Sequence, residues 1–152
     1  MTTVYLASPL GFSDELKDYR DRIKLRLREI GCGIFDPWDQ AFGSMINEAK
    51  SISRWDDRVA ALAKVAGEIG RMNGQGIRES DAVLGVLDGA ELDSGTVCEI
   101  GFAAGLGKRC YGLRTDFRDL GDFEGLPINL QVLYFIQSSG GQLFRRIDEL
   151  DI

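Results

Sequence analysis

Four carboxylates gather in one short part of the chain: Asp88 and Glu91 in VLDGAELDSG, then Asp93 and Glu99 in DSGTVCEIGFAAGLGK, residues 93–108. The sequence contains no histidine, which excludes a Ser-His-Asp or Cys-His machine and any histidine-ligated zinc. Proton transfer and nucleophilic attack then fall mainly to carboxylates, hydroxyls or thiols. Massed carboxylates at a strand end repel one another and raise the pKa of some members, so one holds a proton while another stays ionised. That division of labour serves cleavage of a glycosidic bond, which needs a nucleophile at the anomeric carbon and an acid for the leaving group. A helix N-terminus favours the ionised partner. A structural use of the same residues stands beside this one. The stretch T-V-C-E, Thr96 to Glu99, has the form of a capping box, with Thr96 at the cap and Glu99 reaching back to a backbone amide. Spacing alone leaves both uses of Glu99 open.

Three other stretches bear on chemistry. Residues 101–108, GFAAGLGK, superficially suggest a phosphate loop, but a Walker A motif has four residues between Gly and Gly-Lys and a following Ser or Thr. Here Gly101 and Gly107 enclose five, and Arg109 follows Lys108. Close helix–sheet packing with a C-terminal glycine stop accounts for them better, and no nucleoside triphosphatase is expected. LASPLGF, with Ser8, Pro9 and Phe12, is either a turn or a loop whose amides and small side chains admit a flat ligand. In FDPWD, Asp36-Pro37 forms a turn, while Trp38 either packs in the core or stacks on a base.

These stretches need elements to hold them. TVYLAS is a buried strand entering a Pro-Leu-Gly loop. Leu16, Tyr19, Ile23, Leu27 and Ile30 recur at helical spacing, with Ser13 as a possible cap and Gly31 as the stop. CGIF is a second strand, because Pro37 biases Asp36 away from helix. The spacing predicts helix over about 45–80 in two pieces, with a break near Asn73-Gly74. AVLGVLD is the continuous apolar run of a central parallel strand. A helix over about 94–106 follows, then strand RCYGLRT, a polar loop over 115–127, a helix in NLQVLYFIQSS, an edge strand QLFR and a terminal turn RIDEL. Alternation of strands and helices predicts an α/β fold: one doubly wound, mainly parallel sheet of five strands with helices on both faces, flavodoxin-like or Rossmann-like. Residues 1–152 are expected to form one domain. In such sheets ligands sit beyond the carboxyl ends of the strands, where ASPLGF, FDPW, LDGAELDSG and RTDF all fall.

With 152 residues, 44% of them apolar, and a net charge of −6, the chain has the composition of a soluble globular domain. No basic stripe stands out, which argues against nucleic-acid or anionic-membrane partners. No apolar run approaches a membrane span, and the N-terminus lacks the pattern of a signal peptide. Cys32, Cys98 and Cys110 read as reduced thiols of a cytoplasmic protein, with no metal cage or disulfide framework.

Taken in register, Asp81-Ala-Val-Leu-Gly-Val-Leu-Asp88, then Asp93-Ser-Gly-Thr-x-x-Glu99-Ile-Gly-Phe-Ala-x-Gly, then Pro127-Ile-Asn129-Leu, together with VYLASPLGF, resemble the nucleoside 2-deoxyribosyltransferase family. The resemblance covers most of the chain and is weakest over 40–70. It implies that Glu99 is the nucleophile at the anomeric carbon and that Asp93 assists departure of the base. It implies that Tyr5 orients the nucleophile and that Ser8, Pro9 and Phe12 line the base. It implies that Asn129 reaches a neighbouring subunit's site in a dimer or larger homo-oligomer; the alternative is that Asn129 merely caps the helix after it. Asp36, Trp38, Asp88 and Gly95 complete the expected substrate-binding set, and no cofactor or metal is implied.

Two positions depart from the family pattern. Asn73 stands where some members carry a base-protonating aspartate, and Gln131 stands where some carry Met. The substrates implied are 2′-deoxynucleosides and free nucleobases, exchanged with retention of configuration. Two other readings remain open: an N-glycoside hydrolase of nucleosides or 2′-deoxynucleotides using the same carboxylate, and a non-catalytic nucleotide-sensing module.

Overall fold

The computed structural model describes residues 1–152. Its elements run β1 (Thr3–Ala7), α1 (Lys17–Glu29), β2 (Gly33–Phe35), α2 (Gly43–Lys50), α3 (Trp55–Glu79), β3 (Ala82–Val86), α4 (Ser94–Gly105), β4 (Arg109–Leu113), α5 (Leu130–Ser138) and β5 (Leu143–Phe144). The five strands form one sheet in the order β2-β1-β3-β4-β5. Every neighbouring pair is parallel. The order reverses between β1 and β3, which is the switch point where an open α/β sheet leaves a crevice at its carboxyl edge.

Side chains alternate across the sheet with period two. Val4 and Leu6 of β1, Leu84 and Val86 of β3 and Leu113 of β4 pack with Ile23 and Leu27 of α1. Tyr5, Val83 and Cys110 face the other way, against Ile77 of α3, Ile100 and Ala103 of α4, and Ile136 of α5. With both faces covered, the central strands carry apolar residues throughout, and so they read as uninterrupted runs.

Two local expectations need correction. α3 runs unbroken through Asn73-Gly74, and the break falls earlier, at residues 51–54. There Ser51 Oγ bonds the Glu48 carbonyl at 2.7 Å and Arg58 Nη1 bonds the Ile52 carbonyl at 2.8 Å, while Arg54 turns extended. A glycine inside this helix marks a close approach instead of a break: a Cβ on Gly76 would lie 2.6 Å from the Phe35 ring. Ser13 does not cap α1, which is entered through two 3₁₀ turns, Leu10–Phe12 and Asp14–Leu16, without side-chain capping.

The glycine stops do occur, at Gly31 (φ 85°) after α1 and Gly107 (φ 74°) after α4. The close approach of α4 to the sheet, however, is made by the strand. A Cβ on Gly85 would lie 2.5 Å from Ile100 Cδ1, whereas Gly105 has nothing within 4 Å. No helix is long and apolar enough to cross a membrane.

Candidate active site

The start of α4 decides what Glu99 is free to do. Asp93 is the N-cap: its Oδ2 accepts from the Thr96 amide at 2.8 Å and from the Thr96 hydroxyl at 2.9 Å. Thr96 therefore lies inside the first turn, and the capping box read from T-V-C-E does not form. Gly95 makes room for this cap, since a Cβ there would lie 3.2 Å from Asp93 Oδ2.

Glu99, one turn further on, points away from the backbone. The Tyr5 hydroxyl donates to its Oε1 at 2.6 Å, and Asn73 Nδ2 makes a longer contact to the same oxygen at 3.4 Å. Tyr5 is fully buried in the middle of β1, its ring stacked on Phe35 with centroids 5.5 Å apart. One carboxylate is thus gripped by a strand and by a second helix.

Burial raises the Glu99 pKa above its ordinary 4.5, the Asp93 charge raises it further, and the Tyr5 and Asn73 hydrogen bonds pull it partly back. Burial, and then the bond to Glu99, push the Tyr5 hydroxyl far above its usual range, so it serves as a permanent donor. Of the four crowded acids, only Asp93 and Glu99 share a site.

Both line a cavity of about 390 Å³ at the carboxyl edge of β1 and β2, within the size range of small-molecule sites. Ser8 and Phe12 enter from the loop after β1, Trp38 from the turn after β2, and Asn73 from α3. Trp38 belongs to neither core cluster. It is held as a wall by its indole N–H on the Ser8 carbonyl at 2.8 Å and by an edge-on contact with Phe12, with centroids 4.6 Å apart. The ring fits only because residue 11 is glycine, where a Cβ would lie 2.0 Å from it. Ser8 Oγ and Asn73 Oδ1 are buried without a partner, so both are available to a ligand's polar atoms. No Lys or Arg lines the cavity, and no cluster of potential metal-ligating side chains occurs in the molecule.

The remaining expected residues lie elsewhere. Asp36 is buried below the loop, where it caps the Pro37–Asp39 turn and faces Lys24 at 3.3 Å and Arg20 at 3.6 Å. Asp88 accepts from Tyr19 at 2.7 Å and from the amides of Thr115 and Asp116 at 2.5 and 2.7 Å, tying β3 to the exit of β4. Pro9 shapes the first loop, its carbonyl accepting from Phe12 N at 3.1 Å. Asn129 Oδ1 caps α5 through the amides of Gln131 and Val132 at 3.0 and 3.3 Å, and Asn129 and Gln131 do not reach this cavity.

Sequence reasoning missed Gln40, Phe42, Ile46 and Ile69 on the cavity wall. Gln40 spends its amide nitrogen on the Asp36 carbonyl at 3.2 Å. Ile69 stands one helical turn before Asn73, a spacing that carries the signal.

The sequence matches the family model described as nucleoside 2-deoxyribosyltransferase over residues 4–131. No curated protein matches it. Among solved structures, a 2-deoxyribosyltransferase from Leishmania mexicana is similar at a TM-score of 0.65 and 24% identity, over 96% of this chain and 91% of its own. A 2-deoxyribosyltransferase from the psychrotolerant bacterium Bacillus psychrosaccharolyticus is similar at 0.60 and 19%, over 99% and 93%. The CMP N-glycosidase of Clostridium botulinum is similar at 0.56 and 14%, over 97% and 94%. These likenesses establish a common fold. The match over 4–131 takes in every cavity residue, and with it the chain belongs to the nucleoside 2-deoxyribosyltransferase family of enzymes.

Proposed function

We propose that the protein exchanges the base of 2′-deoxynucleosides by double displacement at Glu99. A Glu99 carboxylate oxygen attacks the anomeric carbon and forms an ester with it. The carbon–nitrogen bond breaks, and the base leaves with the bonding pair and takes up a proton. A second base then attacks the same carbon, gives its N–H proton back to the group that protonated the first, and releases Glu99, so two inversions retain the configuration. The observation that carries this reading is the grip of the Tyr5 hydroxyl on Glu99 Oε1 at 2.6 Å, facing the cavity. That bond aims the carboxylate and spends one oxygen, leaving Oε2 as the attacking atom. Asp93 Oδ1 accepts no hydrogen bond within the protein, which supports Asp93 as the group that hands the proton to the departing base. Asn73 is an amide and has no proton to give in this way; it orients Glu99.

A cavity without cationic side chains supports an uncharged 5′-hydroxyl over a 5′-phosphate. Its apolar walls, Phe12, Trp38, Phe42, Ile46 and Ile69, support exclusion of the water that would hydrolyse the ester. The proposal includes assembly into a dimer or larger homo-oligomer, supported by Phe102 of α4, Leu106 just after it, and Leu130 and Tyr134 of the neighbouring α5, all exposed. The deciding experiment incubates a deoxynucleoside with and without a second base and separates the products chromatographically. Formation of the new deoxynucleoside is expected. Free deoxyribose alone, whatever base is added, assigns the site to hydrolysis instead.

A further inference from the structure

A second and larger recess, of about 840 Å³, runs along α1 and shares no lining residue with the catalytic cavity. Arg22 and Arg26, one turn apart on α1, face Arg145 and Arg146, which leave the end of β5. Against these four cations the walls set two carboxylates, Glu29 and Asp148. A local excess of positive charge therefore sits on a molecule of net charge −6, and a concave wall focuses such a field.

The arginines are not all spent on the protein. Arg146 forks onto Asp148. Arg26 donates Nη2 to the Leu150 carbonyl at 3.1 Å and its Nη1 pairs with Glu29 at 3.7 Å, but its Nε is buried with no partner. Arg145 uses Nη2 alone, on the Asp116 carbonyl at 3.0 Å. The Arg22 side chain makes no hydrogen bond or ion pair, and it lines the recess with Tyr19.

We propose that this groove binds a small molecule carrying a di- or triphosphate chain, either free or on a nucleoside. Guanidinium forks match phosphate oxygens two at a time and lose less entropy doing so than ammonium groups. Separate forks converging from α1 and from the C-terminal segment suit a chain of phosphates better than a single carboxylate. Tyr19, Leu25 and Ile147 on the same walls offer apolar surface to a nucleoside end.

The test titrates the intact protein with inorganic tripolyphosphate and, separately, with dATP, by calorimetry. Saturable binding with a Kd below about 1 mM, weakening as salt rises, is expected. Arg22→Glu, exposed and free of internal contacts, weakens binding at least about tenfold while base exchange is unchanged. Arg28→Glu, the same charge change on α1 outside the groove, stays within about twofold. Tighter binding of dATP than of tripolyphosphate identifies a nucleotide as the ligand, and equal binding identifies the phosphate chain alone. The proposal is overturned by absence of saturable binding, by equal losses in both variants, or by displacement of tripolyphosphate with saturating deoxynucleoside, which would put the anion in the catalytic cavity.

Discussion

Glu99 is held at a cost, because burial and Asp93 raise its pKa in the folded state above its ordinary 4.5. A carboxyl with a raised folded pKa binds protons more tightly when folded, so stability falls as pH rises from the unfolded value through the folded one. Above that window the ionised side chain opposes folding. Glu99→Gln removes the charge and keeps an acceptor for Tyr5. Its Tm should exceed the parent's at neutral pH by a few degrees at most, with the difference vanishing below the window. A thermal-shift series across pH checks this. In the same variant, base exchange should fall by at least about 10³-fold. Tyr5→Phe keeps the stacked ring and loses only the hydroxyl, which lowers the Glu99 pKa. Its loss should move the acid limb of the kcat/KM profile to higher pH and reduce kcat/KM by about 10–100-fold. An unmoved limb would detach Tyr5 from Glu99. The carboxylates also show the limit of residue type as a guide. Asp36, Asp88, Asp93 and Glu99 look alike in sequence, yet the first two are consumed by backbone amides and cations. Only the path of the loops around them determines that.

At the scale of elements, strands and most helices were legible because parallel strands buried on both faces advertise themselves as apolar runs, and Gly31 and Gly107 stop their helices by adopting positive φ. The helical hairpin of α2 and α3 was harder to read. Of residues 43–70 only Ala49 and Val65 are buried, so apolar positions there do not mark a sheet-facing core, and the cavity residues Phe42, Ile46 and Ile69 are hard to single out. Sparse burial predicts early local opening. Amides of α2 and the first half of α3 should exchange with deuterium faster than those of α4, and a bound deoxynucleoside should slow them, as mass spectrometry can measure. The two loops that face each other across the cavity meet at Trp38, which lies on Gly11 and touches Ser8 and Phe12. Gly11→Ala should displace the indole and raise the KM for the donor about tenfold, with a smaller change in kcat. Equal losses in both constants would mean that the wall also orients Glu99.

Over the whole molecule, assembly and catalysis are expected to travel together. Dilution that dissociates the proposed oligomer, followed by light scattering, should lower specific activity in parallel; activity constant through dissociation would confine the site to one subunit. The Arg-lined groove is a whole-molecule property as well, since Arg22 and Arg145 lie far apart in sequence and no basic run announces them. The contrast between the two sides of the cavity has a consequence for change over time. Tyr5 is packed in the interior on β1, and Glu99, half-buried on α4, is tied to it by hydrogen bond. Most of the other cavity walls belong to two loops and a hairpin that contribute little to that interior. On the proposed reading, new preferences among bases can arise by substitution in these walls with small losses of stability, while Tyr5 and Glu99 stay fixed. The scaffold separates what is done from what it is done to.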